Sequence, residues 1–140
     1  MSWFEAILMR AQGNERGDER ARLGRAGEHE AARFLKRKGY RIVTRNYRCS
    51  AGEIDLVALD GGMVVFVEVK TRTDCEHADP QDAVTPEKQH RLMRAARNFI
   101  LQTQSQGRDF RFDIVAVVWP TAGPVRVEHF VNAFSPARRS

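Results

Sequence analysis

Residues 52–70 read Gly52-Glu53-Ile54-Asp55-Leu56-Val57-Ala58-Leu59-Asp60-Gly61-Gly62-Met63-Val64-Val65-Phe66-Val67-Glu68-Val69-Lys70. Two strand-forming runs flank an Asp-Gly-Gly turn, and the glycines supply the positive φ values that a tight hairpin wants. With Gly61 and Gly62 at the centre of the turn, Asp60 faces Met63. Counting outward, Asp55 faces Glu68 and Glu53 faces Lys70. Glu68 and Lys70 share a sheet face because side chains alternate. Facing residues have Cβ atoms about 4.5–5.5 Å apart. An Asp60-Gly61 turn keeps the face but shifts the pairing by two. A three-residue loop would put Asp55 and Glu68 on opposite faces.

The run Val64-Val65-Phe66-Val67 is apolar enough to be buried. Charges at the end of a buried strand are costly unless they are paired or hold a metal. Two carboxylates that close repel each other unless a cation or a proton intervenes. Magnesium or manganese suits hard oxygen ligands of this kind. The plain alternative is a solvated salt-bridge ladder of Glu53, Asp55, Glu68 and Lys70.

The charge distribution favours a metal site gripped by phosphate contacts. The formal net charge is +5. Lys36 to Arg48 carries six basic residues and no acidic ones, and Lys88 to Gly107 carries four basic residues, again with no acid. Between them, Glu53 to Glu87 holds nine acidic and two basic residues. An acidic centre between basic flanks fits a polyanion held around a cation. Two cysteines, Cys49 and Cys75, make no disulfide framework and show no zinc spacing. They point to the reducing cytoplasm. The apolar patch Phe4 to Met9 is too short for a signal peptide core, and no transmembrane stretch is present.

Three regions are expected: a mobile arm over residues 1–17, a folded domain over 18–134 and a flexible tail over 135–140. Arg20 to Lys38 reads as a helix with Gly39 at its C-terminal cap. Leu23, Gly27, Ala31, Phe34 and Leu35 form its apolar face, and Glu28 falls at the border of that face. There Glu28 either reaches a site or pairs with Arg25 or Lys36. Tyr40 to Tyr47 reads as a strand, with Arg41, Arg45 and Arg48 projecting from it or its end. Thr71 to Thr85 reads as a polar loop. Its Asp74, Glu76, His77, Asp79 and Asp82 could hold a metal, but their irregular spacing favours a solvated loop. Thr85-Pro86 starts a second helix, running to about Thr103. Its core stripe is Leu92, Met93, Ala96, Phe99 and Ile100. Lys88, Arg91, Arg94 and Arg97 form a basic ridge suited to a phosphate backbone. Gln89 extends the core stripe toward the site, or is simply a polar residue of the helix end. Phe110 to Trp119 and Val125 to Val131 are the last strands. Asp113 interrupts the first of them, as a buried partner for Lys or Arg or as a strand-start residue.

The chain resembles the YraN-like family of bacterial proteins, within the restriction-endonuclease-like or PD-(D/E)xK superfamily. The resemblance covers roughly residues 20 to 134. It is carried by Gly24-Arg25-Ala26-Gly27-Glu28 with Ala31, by Arg45-Asn46-Tyr47-Arg48, and by Gly52-Glu53-Ile54-Asp55-Leu56. Phe66-Val67-Glu68-Val69-Lys70-Thr71-Arg72, Ala83-Val84-Thr85-Pro86, Lys88-Gln89, Arg91-Leu92 and Phe112-Asp113 complete it. It implies an α/β fold with an α-β-β-β-α-β core, a mixed sheet flanked by helices, similar to archaeal Holliday-junction resolvases. It further implies that Asp55, Glu68 and the backbone carbonyl of Val69 bind Mg2+ or Mn2+. Glu28 would join them directly or through water, Lys70 would orient or activate the attacking water, and Gln89 would be the second-helix glutamine of such enzymes. The superfamily's proline before the aspartate is replaced by Ile54.

The function so implied is metal-dependent hydrolysis of DNA, including branched or junction DNA, with RNA as the other nucleic acid to test. Arg41, Arg45, Arg48, Arg72, Lys88, Arg91 and Arg94 are the expected backbone contacts. Symmetric cutting of a junction would need a homodimer. A non-catalytic binding module that keeps the fold, or a subunit that needs a protein partner, are the rival classes.

Overall fold

The computed structural model describes residues 15–73 and 84–135. The elements are α1 (Glu15–Arg37), β1 (Arg41–Cys49), β2 (Gly52–Asp60), β3 (Met63–Thr73), α2 (Pro86–Gln102), β4 (Phe110–Trp119) and β5 (Arg126–Phe134). They form one sheet in the order β1-β2-β3-β4-β5. Only β3 and β4 are parallel; the other neighbours are antiparallel. Helix α2 is the crossover that a parallel pair requires. This is the restriction-endonuclease-like α-β-β-β-α-β core, followed by β5 at the far edge.

Several local signals set the boundaries. At the end of α1, Gly39 has φ 96°; Tyr40 N–H donates to Leu35 at 2.9 Å and Gly39 N–H to Lys36 at 3.0 Å. That double bond is a Schellman cap, and glycine supplies its left-handed residue. Thr85 accepts from the Lys88 N–H at 3.2 Å and Pro86 fills the first turn, so α2 starts where the sequence indicates. The hairpin turn has Gly61 and Gly62 at its centre, with Asp60 opposite Met63.

Other boundaries move. Helix α1 begins at Glu15 rather than Arg20, so Gly17 lies inside it and does not break it. One glycine costs a helix only about 1 kcal/mol. Strand β1 extends past Tyr47 to Cys49, and β3 takes in Thr71–Thr73, which the sequence assigns to the polar loop. The parallel ladder to β4 holds them, with Thr73 opposite Trp119. The acidic residues of that loop and the expected arm over 1–14 lie outside the described residues, as does 136–140 of the tail.

Each helix covers one face of the sheet. On one face Ala31, Ala32 and Leu35 of α1 pack on Leu56, Ala58, Val65, Val67, Val115 and Val117. On the other, Leu92, Ala95, Ala96 and Phe99 of α2 pack on Ile54, Val57, Val64, Phe66, Phe112 and Ile114. Ala95 joins a stripe from which the sequence reading omits it. Burial on both faces explains why the central strands read as continuous apolar runs.

Asp113 is fully buried. Arg111 Nε donates to its Oδ1 at 3.0 Å, His129 Nε2 lies 2.7 Å from Oδ2, and the Asn132 N–H donates to Oδ1 at 2.9 Å. Arg111 also reaches Tyr40 Oη at 2.7 Å and Asp60 at 3.2 Å. Lys38 Nζ lies 2.9 Å from His129 Nδ1. An ammonium can only donate, so Nδ1 accepts and the Nε2–H donates to Asp113. Of the two sequence readings of Asp113, the buried partner is the one found. Burial works against its ionisation, but these donors outweigh burial and hold its carboxyl below the usual range.

Candidate active site

Regular pairing of β2 with β3 runs from Asp60↔Met63 to Leu56↔Val67 and stops there. The outward count from the turn had continued it to Asp55–Glu68 and Glu53–Lys70. Instead, the Val69 N–H donates to Asp55 Oδ2 at 2.8 Å, so a carboxylate takes the place of a ladder carbonyl. Glu53 pairs with β1: it lies opposite Arg48, with Arg48 Nε 3.5 Å from its carboxylate.

Alternation in β2 also breaks at this point. Leu56 packs beneath α1, but Ile54 packs beneath α2 beside Val57. Two residues apart on a regular strand, they would share a face. Across from the break stands Asn46, between the pairs Arg45↔Leu56 and Tyr47↔Ile54, with φ 51°. A left-handed conformation is uncommon for a side-chain-bearing residue, and Asn is one of the few that tolerates it. The β1–β2 ribbon turns over here, and Asp55 emerges at the turnover.

Two grooves meet at Asp55 and Glu68. One runs under α2 and is lined by Gly52, Glu53, Lys88, Arg91 and Leu92. The other runs under α1, past Arg20, Glu28, Val69, Lys70 and Arg72. Glycine at 27 lets α1 come this close to β3, since a Cβ there would land on Thr71 Oγ1. Glu28 follows directly and is carried to the groove wall.

Glu68 is 7 % exposed. Its Oε1 meets two ammonium groups, Lys88 Nζ at 2.6 Å and Lys70 Nζ at 3.4 Å. Among the described residues, no ammonium stands in such contact with Asp55. Burial first, then the charge of Glu68, push its carboxyl up to about 7, against the opposing hydrogen bond from Val69. Burial also raises the carboxyl of Glu28, with Glu53 and Glu68 adding to it and a hydrogen bond from Asn46 opposing. Burial and the neighbouring Lys88 lower Lys70, with Glu68 opposing. Burial would lower Lys88 as well, but its bond to Glu68 and the nearby Asp55 outweigh that, and it is raised.

The sequence-derived residues therefore divide. Asp55, Glu68, Lys70, Val69 and Glu28 come together. Lys88 and Arg72 join them, as does Arg91 at the groove rim. Arg20 is an addition that the sequence reading did not single out; its signal is its place one and two turns before Gly24 and Glu28 on the same helix. Lys88 does not stand on an outward ridge, because it turns in to Glu68. Gln89 points elsewhere: its amide donates to the Val84 carbonyl at 3.1 Å, bracing the first turn of α2. That matches the helix-end alternative rather than a catalytic role. Arg41 lies opposite Leu59. At about 3.3 Å per residue, that is on the order of 13 Å along β2 from Asp55. Arg45 and Arg94 are exposed outside both groove walls, and Arg48 is held by Glu53. The Arg72 Nε is buried and has no hydrogen-bond partner among the described residues.

Among the described residues, no three carboxylate, histidine or cysteine side chains stand close enough to form a ready-made metal cage. Two hard carboxylates brought side by side still fit one particular ion. Magnesium is commonly bound by one or two carboxylates and completes its shell with water and phosphate. No described helix is long and apolar enough to cross a membrane.

Residues 27–117 match the family described as "Uncharacterised protein family UPF0102". A "UPF0102 protein" of Pelotomaculum thermopropionicum is 46% identical over 118 residues, covering 84% of this chain and 98% of its own. One from Chlorobium limicola is 44% identical over 117 residues, covering 80% and 91%. One from Geotalea daltonii is 41% identical over 129 residues, covering 92% and 99%. The chain belongs to the UPF0102 family, the YraN-like family that the motifs indicate.

Proposed function

We propose that this UPF0102 protein is a cytoplasmic, divalent-metal-dependent endonuclease that hydrolyses DNA phosphodiester bonds. One observation carries the reading: Asp55 and Glu68 meet where two cation-lined grooves join, and burial with the neighbouring charge resists ionisation of Asp55. Carboxylates forced together in this way are suited to a cation. Asp55 and Glu68 would hold Mg2+ or Mn2+, with Glu28 and the Val69 carbonyl as further oxygen donors. Bound there, the metal would polarise the scissile phosphate and lower the pKa of a coordinated water.

The protein's own groups supply the rest. Lys70, with its ammonium lowered by burial, is placed to orient the attacking water and to offset charge on the phosphate oxygens. The water would release a proton to solvent as its oxygen joins phosphorus and the bond to the leaving oxygen breaks, and that oxygen would take up a proton from solvent. Arg91 on one side, with Arg20 and Arg72 on the other, can hold the strand by its phosphates without reading sequence.

A second reading has its own support. Glu68 already has two ammonium partners, which suits a DNA-binding module that keeps the fold but does not cut. Cleavage assays on linear, flapped, single-stranded and four-way DNA, and on RNA, separate the two. Wild type should cut in magnesium or manganese, and Glu68→Ala should bind without cutting. Equal binding and no cutting by both proteins would favour the module, or a subunit that needs a protein partner.

A further inference from the structure

We propose that Lys88 is a transferable countercation: it neutralises Glu68 while the metal is away and turns to the substrate phosphate once a divalent ion takes its place. The inference rests on the metal-dependent reading of the site and deepens it.

The geometry is unequal in a telling way. Both ammonium groups approach the same oxygen, but Lys88 is in tight contact at 2.6 Å while Lys70 stands off at 3.4 Å. Charge-assisted N–H···O bonds settle near 2.7–2.9 Å, so Lys88 is the principal partner. A dication brought against Glu68 meets the Lys88 ammonium at close range, whichever carboxylate oxygen it uses. One of the two cations must give way, and the fold indicates which. Lys70 belongs to β3, with its backbone opposite Ala116 of β4 and its side chain 22% exposed. Lys88 sits in the first turn of α2, 33% exposed, on the wall of the groove that also holds Arg91. Its backbone is fixed by the Thr85 cap, while its flexible four-carbon stem leaves the ammonium free to swing.

Charge supplies the direction of the swing. Asp55 and Glu68 offer at most two negative charges against the two ammoniums of Lys70 and Lys88. A divalent ion leaves positive charge unmatched. A phosphodiester and the hydroxide that attacks it are anions of the right sign to restore the balance. Metal and polyanion should then reinforce each other, with Lys88 as the link.

The test is binding, not turnover. Titrating Mn2+ into wild type, Lys88→Met and Lys88→Arg measures metal affinity directly. Lys88→Met should bind Mn2+ at least about fivefold tighter, fivefold being the scale for a pair of unit charges at contact range in bulk water and so a floor for a dication here. Lys88→Arg should remain within about twofold of wild type. Duplex DNA affinity is then measured in EDTA and in Ca2+. Wild type should gain affinity on adding Ca2+, and Lys88→Met should lose most of that gain. Unchanged or weaker Mn2+ binding by Lys88→Met would overturn the inference, as would an undiminished Ca2+ effect on DNA. The two readings can fail separately. A wild type that cuts DNA, with metal affinity indifferent to Lys88, removes only the role of Lys88. A wild type that cuts nothing, with the Lys88→Met signature intact, removes only the nuclease.

Discussion

Asp55→Asn puts a number on the tension at the site. In the folded chain the Asp55 carboxyl is held at about 7 by burial and Glu68, against an ordinary 3.8. Between those values the folded chain keeps a proton that the unfolded chain has already lost. Stability of the metal-free protein therefore falls as pH rises through that window. At about 1.36 kcal/mol per pH unit, the loss is at most about 4 kcal/mol by pH 8. Asparagine cannot ionise, and its amide oxygen can still accept from Val69 N–H, the bond that Asp55 makes at 2.8 Å. In EDTA at pH 8, Asp55→Asn should thus be more stable than wild type by up to about 4 kcal/mol, or on the order of 10 °C in Tm. Below pH 4 the two proteins should melt together. Added Mg2+ should raise the Tm of wild type at pH 8 and leave the variant unmoved. Thermal melts at four pH values, with and without metal, measure all of this. A variant no more stable than wild type at pH 8, or more stable by the same amount at pH 4, would refute the reasoning.

Three further outcomes are expected. Gly27→Ala should destabilise by roughly 1–2 kcal/mol, the cost of overpacking less the gain in helix propensity. Adding Thr71→Ala should recover much of that in urea unfolding, because Thr71 Oγ1 is the atom struck. Replacing Arg91 and Arg20 together with alanine should weaken DNA binding across all sequences and flatten its dependence on salt, as read by fluorescence anisotropy. Asp113→Asn should cost on the order of 1–3 kcal/mol at pH 7, because it removes the buried anion that accepts from Arg111, His129 and the Asn132 N–H and leaves Arg111 only Asp60 as an anion among the described residues. The carboxyl of Asp113 is held low, so its contribution is present above the unfolded value near 3.8 and is lost as pH falls through the lower folded value. Urea melts should show the gap closing only in strong acid.

Much of the fold could be read from short-range signals. The Asp60-Gly61-Gly62 turn fixed the hairpin register, because positive φ at the turn centre leaves few other pairings. Gly39 marked the end of α1 and Thr85-Pro86 the start of α2, because helix ends need caps and these residues provide them. The apolar runs of β3 and β4 indicated burial on both faces. The same hairpin brings Asp55, Glu68 and Lys70 to one end of the sheet, and the place of Glu28 at the border of a helical stripe left it free to reach the same groove. All of these depend on neighbours a few residues away, or on a repeat along one element.

Tertiary packing decided the rest. Spacing put Lys88 on an outward basic ridge, but the seating of α2 against β3 delivered its ammonium to Glu68. The same first turn left Gln89 bonded to Val84, away from the carboxylates. Counting along β2 carried the ladder through Asp55, whereas the turnover opposite Asn46 ended it at Leu56 and freed the aspartate for Val69 and the two grooves. Asp113 gathers donors from β4 and β5, and through Arg111 and His129 it is tied to Tyr40 and Lys38 as well. Sequence determined the elements and their buried faces, since propensity, capping and periodicity act locally. Which charged tips meet was left to the tertiary structure, since a long side chain takes the partner that the packing of distant elements brings within reach.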